Sequence, residues 1–132
     1  MTTPTDTLTI REMCDLFQVT PRTLRFYESK ELIAPLRQGS KRLYSKQDRA
    51  RLHLILRGKR FGFSLEDIRQ LLDMYDHDGS NLTQLSRTYQ LAQDRIAQMR
   101  AQRAELETAI IELETEMAAV AETIAAFRKA AE

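Results

Sequence analysis

Between Thr20 and Tyr27 the chain reads Thr-Pro-Arg-Thr-Leu-Arg-Phe-Tyr, a run that interleaves strong hydrogen-bond donors with apolar side chains. The guanidinium forks of Arg22 and Arg25 match guanine edges and phosphate oxygens, and the hydroxyls of Thr23 and Tyr27 suit backbone positioning. Leu24 and Phe26 have the spacing to contribute to a core face. Taken alone, the same run equally describes a solvated amphipathic helix with cations outward. Further cations tip the balance: Arg37, Lys41 and Arg42, then Arg57, Lys59 and Arg60, fall on successive elements that one phosphate track can touch. Around Ser64 and Leu65 the orphan N–H groups of a helix start offer another anion site, although Ser64 serves equally as a plain cap.

Other chemistries find no support. The residues assemble no paired carboxylates, no nucleophile beside a base and no glycine-rich phosphate loop, so neither an enzyme nor a cofactor is expected. Cys14 is the single cysteine and cannot form an internal disulfide; among Met13, Leu16 and Phe17 it reads as a small packed hydrophobe. Asp76-His77-Asp78 reads as a solvated turn and His53 as a surface residue, so no metal site is expected.

Charge is distributed unevenly. The 132 residues sum to +1, yet residues 1–70 hold 14 Lys/Arg against 8 Asp/Glu, whereas residues 71–132 hold 6 against 11. A basic first half implies a polyanionic partner. With no long apolar run and no basic-then-apolar leader, neither a membrane span nor secretion is expected, and the cytoplasm is the default location.

The elements that would position these side chains are legible from caps and breakers. Thr9 with Glu12 opens a helix to about Phe17, Gln18-Val19 turns the chain, and Thr20-Pro21 opens a second helix to about Ser29. Two short helices about a tight turn form a helix-turn-helix. Pro35 to Tyr44 reads as two short strands about Gly39-Ser40, a wing with a cationic tip. Ser45 with Asp48 opens a third helix to about Arg60, and Ser64 with Asp67 a fourth to about Tyr75, with Gly58 and Gly62 marking the break between them. No Gly or Pro follows Gly79, which predicts one long terminal helix.

Along that helix Tyr89, Ala92, Ile96, Met99, Arg103, Leu106, Ile110, Leu113, Met117, Val120, Ile124 and Phe127 alternate in steps of three and four. Such a heptad seam predicts pairing with a second copy, since apolar stripe and length outrun what the first half could cover. Arg103 interrupts the seam and would set register or orientation; parallel and antiparallel pairing both remain open on the seam alone.

The run Leu8-Thr9-Ile10-Arg11-Glu12, the block Thr20-Pro21-Arg22-Thr23-Leu24-Arg25-Phe26-Tyr27-Glu28, Leu32 to Arg37, Arg42-Leu43-Tyr44, Asp48 and Phe61-Gly62-Phe63-Ser64-Leu65-Glu66-Asp67-Ile68 resemble the MerR family of bacterial regulators. The resemblance covers residues 8 to about 75. It implies a homodimer on a pseudo-palindromic promoter operator that twists the DNA for RNA polymerase, with an antiparallel dimer helix. By positional match it sets Arg22, Thr23, Arg25 and Tyr27 toward the major groove, Arg37, Lys41, Arg42 and Tyr44 in the wing contacts, and Arg60 on a phosphate; Thr20 and Ser64 are counted with them. Glu31 stands where the family commonly has Gly, and Ser40-Lys41-Arg42 departs from the common wing sequence. Metal-sensing relatives carry cysteines that this chain lacks, and larger drug-sensing relatives a ligand domain for which no residues remain. Short relatives that govern acyl-CoA or branched-chain amino acid catabolism look nearest; an effector is unknown, although Tyr75, Leu82, Leu85 and Tyr89 mark a place for one.

The expectation is therefore a mainly α protein: a winged helix-turn-helix domain over residues 1–75, a linker over 76–81 and a coiled-coil dimerisation helix over 82–132. Its partners would be double-stranded DNA, a second copy and RNA polymerase. An architectural or excisionase-like DNA-bending factor is the alternative, and a coiled-coil adaptor with a protein-binding basic half a third reading.

Overall fold

Each short helix of the N-terminal half starts on a side-chain cap. In the computed structural model, which describes residues 6–76 and 82–132, α1 (Ile10–Phe17) opens on a reciprocal box. The Glu12 N–H donates to Thr9 Oγ1 at 3.2 Å and the Thr9 N–H to Glu12 Oε1 at 2.9 Å. α2 (Pro21–Ser29) opens on Thr20, with Pro21 in the first turn. α3 (Lys46–Phe61) opens on a second box between Ser45 and Asp48. α4 (Leu65–Asp76) starts where the Asp67 N–H donates to Ser64 Oγ at 3.1 Å. The expected helices are thus present, and Asp76, expected to start a linker, ends α4 instead. Residues 77–81, including His77 and Asp78, lie outside the described residues.

The helices also stop alike. After α1, α2 and α3, the left-handed residues Gln18 (φ 55°), Glu31 (φ 60°) and Gly62 (φ 80°) turn the chain out. Behind each, the next N–H reaches back five residues: Val19 to the Cys14 carbonyl, Leu32 to Tyr27 and Phe63 to Gly58, at 3.0–3.2 Å. This is the Schellman closure, with glycine at one of three positions that favour it. Glu31 keeps the turn for which the family commonly uses Gly.

The wing is larger than expected. β2 (Leu36–Gln38) and β3 (Lys41–Tyr44) pair across a two-residue turn at Gly39-Ser40, with Gly39 at φ 62°. A further strand, β1 (Leu8–Thr9), adds to the other edge of β3, giving the order β1-β3-β2. A two-residue strand carries too little alternation to be legible in a sequence.

Met13, Leu24, Tyr27, Leu32, Ile33, Tyr44, Leu52, Ile55, Ile68 and Leu72 form the core under these elements. Gly58, expected to mark a break, lies buried inside α3. A Cβ there would sit 2.7 Å from Ile68 Cγ1, so its missing side chain lets α4 approach. The break falls at Gly62 alone.

α5 (Leu82–Ala131) runs 50 residues, about 75 Å of helix. Two compact units divide the chain, one through Leu91 and one from Ala92. In the first, the Thr88 hydroxyl donates to Met74 Sδ at 3.1 Å. The second is bare helix without a buried residue. No helix among the described residues is long and apolar enough to cross a membrane.

Candidate nucleic-acid interface

Helical geometry decides which face of α2 looks outward. Leu24 and Tyr27, one turn apart, are buried; Arg22, Arg25 and Phe26 are exposed. The sequence reading had placed Phe26 inside and Tyr27 outside, and the structure exchanges them. Leu24 and Phe26 are two residues apart, which is a strand's spacing; on a helix that puts them on opposite sides. Tyr27, 4% exposed, contributes its ring to the core, and burial raises its phenol pKa. The outward surface of α2 is therefore two arginines with an aromatic ring, over which Lys30 Nζ stands 5.7 Å from the centroid.

Thr20 and Thr23 are occupied with each other at the helix start. Thr20 Oγ1 accepts the Thr23 N–H at 3.2 Å and lies 3.0 Å from Thr23 Oγ1. Thr20 thus has a structural duty as cap, and Thr23 is half-buried beside it.

On the wing, Tyr44 was expected to make contacts and is instead fully buried, opposite Leu8 of β1, its hydroxyl without a hydrogen-bond partner among the described residues. The unforeseen β1 makes β3 a central strand and encloses the ring; burial, then the nearby Glu28 carboxylate, raises its pKa. Lys41 is exposed at the tip. Arg37 and Arg42 face each other across the hairpin and share an acceptor that the sequence reading did not single out. Glu28 Oε1 accepts from Arg37 Nη2 at 2.7 Å and Nε at 3.2 Å, and Glu28 Oε2 from Arg42 Nε at 2.7 Å. Burial alone would raise the Glu28 pKa; the bonds and charges of both arginines outweigh it and hold the carboxyl below its ordinary value. The signal for Glu28 is its place as the first of two acids, with Glu31, between the cations of α2 and those of the wing, one turn beyond buried Leu24.

The segment joining α2 to the wing is held from beneath. Asp48, 4% exposed, accepts the Ala34 N–H at 3.0 Å on one oxygen and the Ser45 N–H and hydroxyl on the other. Arg51 Nε donates to the Leu32 carbonyl and Arg69 Nη2 to the Lys30 carbonyl, each at 2.7 Å. Arg51 also pairs with Asp76 at 2.7 Å. These pins fix the exit of α2 and the root of the wing against α3 and α4.

Arg60 and Ser64 flank the α3–α4 corner and are exposed. Among the described residues no hydrogen bond or ion pair ties them to α2 or the wing. Arg57 stands 5.5 Å from the Phe61 ring centroid. Beside it an open apolar groove of about 390 Å³ is lined by residues including Leu54, Phe63, Met74 and Tyr75. Of the residues marked for an effector, Tyr75 lines it, and Leu82, Leu85 and Tyr89 do not. The described residues hold no cluster of three metal-ligating side chains. Cys14 is half-buried, and burial raises its thiol pKa, so the inert reading fits its surroundings.

A second helix with exposed arginines on its outer side and a cationic hairpin fastened to its end make a winged helix-turn-helix DNA-binding domain. Residues 8–75 match the model for the MerR HTH family regulatory protein and residues 49–116 that for MerR, DNA binding. The HTH-type transcriptional regulator ZntR of Escherichia coli K12 is 34% identical over 101 residues, 75% of this chain and 70% of that protein. The transcription regulator PbrR691 of Ralstonia metallidurans CH34, solved in complex with lead(II), aligns at TM-score 0.63 and 30% identity over 80% of this chain and 82% of its own. HiNmlR, a MerR family regulator lacking the sensor domain and bound to promoter DNA, shares the fold at TM-score 0.60 and 23% identity, over 79% and 78%. The chain belongs to the MerR family of DNA-binding transcriptional regulators.

Proposed function

We propose that the protein acts as a homodimer on a pseudo-palindromic promoter operator, distorting the duplex to control its use by RNA polymerase in the cytoplasm. Residues 1–76 bind DNA, residues 77–81 join them to the last helix, and that helix, from Leu82, pairs two copies. Arg22, Thr23 and Arg25 face base edges; Thr20, Arg37, Lys41, Arg42, Arg60 and Ser64 serve phosphates. Tyr27 and Tyr44 support this surface from the core.

The observation that carries the reading is the state of α5. Ile96, Met99, Leu106, Ile110, Leu113, Met117, Val120, Ile124 and Phe127, all seam positions, are each at least 42% exposed in the single chain. A stripe of that length left in water opposes solubility, and a second copy of the stripe covers it. Charge favours the antiparallel arrangement. Leu82 to Arg103 carries four arginines and one aspartate, and Ala104 to Phe127 carries six glutamates and no base. Antiparallel helices set these halves against each other, whereas parallel ones set like against like. Arg103 lies 3.9 Å from Glu107 of its own helix, too loose to hold it from a partner carboxylate.

HiNmlR, of the same fold, is bound to promoter DNA, which supports that target class here. The test is binding to duplexes selected from a random pool: the account expects protected palindromes and a steep salt dependence. Binding without sequence preference favours the architectural alternative instead.

A further inference from the structure

Two arginines directly opposite on a hairpin repel, their Cβ atoms about 5 Å apart. A carboxylate in the last turn of a helix also stands at the unfavourable end of the dipole. Arg37, Arg42 and Glu28 are placed in these two situations, and their mutual bonds resolve both. Glu28 is 18% exposed and Arg42 21%, while Arg37 remains 54% exposed. The carboxylate engages two N–H groups of Arg37 and one of Arg42. Most of the five N–H donors that a guanidinium carries thus stay available.

We propose that Glu28 is a positioning residue for DNA binding: it locks the body of the wing to the end of α2 and orients the unused edges of Arg37 and Arg42 toward phosphates. The wing root is already fixed by Asp48, Arg51 and Arg69. A second fastening, at the hairpin itself, sets its angle to the recognition helix. Each arginine is shared, with the carboxylate on its inner edge and a phosphate on its outer edge. Its rotamers are therefore restricted before the DNA arrives, which lowers the ordering cost of binding. This inference rests on the reading that α2 and the wing bind duplex DNA.

The sign of the effect separates this proposal from simple electrostatics. A negative charge near DNA opposes binding, so its removal alone should tighten the complex. Positioning predicts the reverse. The probe is a duplex selected by the wild-type chain from a random pool of about 40 base pairs, room for two half-sites one or two turns apart. Glu28→Ala should weaken binding about tenfold, the size of one or two loosened charge-assisted contacts. Hydroxyl-radical protection should fade at the wing phosphates and persist around the α2 groove. In a chain already carrying Arg37→Ala and Arg42→Ala, Glu28→Ala should cost nothing further. Glu28→Gln, nearly isosteric, should show the same pattern more weakly and stands in if the alanine variant fails to fold.

Equal or tighter binding by the Glu28 variants, or a loss undiminished without the arginines, overturns the proposal. A wild-type chain that selects no duplex sinks the DNA-binding reading itself, a distinguishable result.

Discussion

Arg25 stands exposed on α2 and Lys41 at the wing tip, and neither enters an ion pair among the described residues. Their substitutions should nevertheless differ. Arg25→Ala should cost the selected operator about 1–3 kcal/mol and relax sequence preference at one position, as expected for a lost bidentate base contact. Lys41→Ala should weaken operator and random DNA alike and reduce the salt slope by about one. Competition titrations at several salt concentrations distinguish the two, and equal losses on both DNAs for both variants would contradict the division. Glu31 supplies a stability test. Its left-handed backbone costs a side-chain-bearing residue about 1–2 kcal/mol, partly offset by the chain entropy that glycine would add. Glu31→Gly should therefore raise the melting temperature by a few degrees with DNA binding retained; a fall would show that the glutamate side chain has a role of its own. Glu28 sets an acid limit. Because its folded pKa lies below the ordinary value of 4.5, its contribution is present above that value and lost as pH falls through the folded pKa. Glu28→Gln should flatten the decline of the melting temperature below about pH 5.

At the level of elements, the contact of α3 with α4 depends on Gly58. A methyl group there meets Ile68 at 2.7 Å, so Gly58→Ala should destabilise by about 1–3 kcal/mol, read by denaturant titration, through overpacking. An unchanged or higher midpoint would mean that Ile68 gives way at no more cost than the roughly 1 kcal/mol of helix propensity that alanine adds. Helix starts were legible because a cap is a local event: Thr9 with Glu12 and Ser45 with Asp48 announce themselves within four residues. Helix ends were half legible, since the same left-handed closure uses Gln18 and Glu31 where only Gly62 advertises it. What failed was what tertiary structure decides. Nothing local says that β1 will enclose Tyr44, or that Gly58 serves packing rather than a break. The exchange of Phe26 and Tyr27 is different in kind, because the helical spacing from Leu24 puts Tyr27, not Phe26, on the core face and is itself local. The Glu28 bridge joins residues 9 and 14 positions apart, beyond any motif, so the candidate interface was legible in its cations and not in what holds them.

Across the whole molecule, the proposed function assigns DNA to the basic N-terminal half and a second copy to the acidic, apolar-striped helix. Each half-site contact is modest alone, and two heads joined by one helix pair raise affinity through effective concentration. Ile110→Asp, in mid-seam and 47% exposed in the single chain, should leave each N-terminal unit folded yet separate the copies, because a buried unpaired carboxylate is not tolerated in a seam. The most direct test is sedimentation of the chain with a selected duplex, wild type beside Ile110→Asp, at concentrations where the wild type saturates. The account predicts two wild-type chains per duplex and negligible specific complex for the variant. One wild-type chain per duplex, or an Ile110→Asp monomer binding the same site equally well, would contradict it.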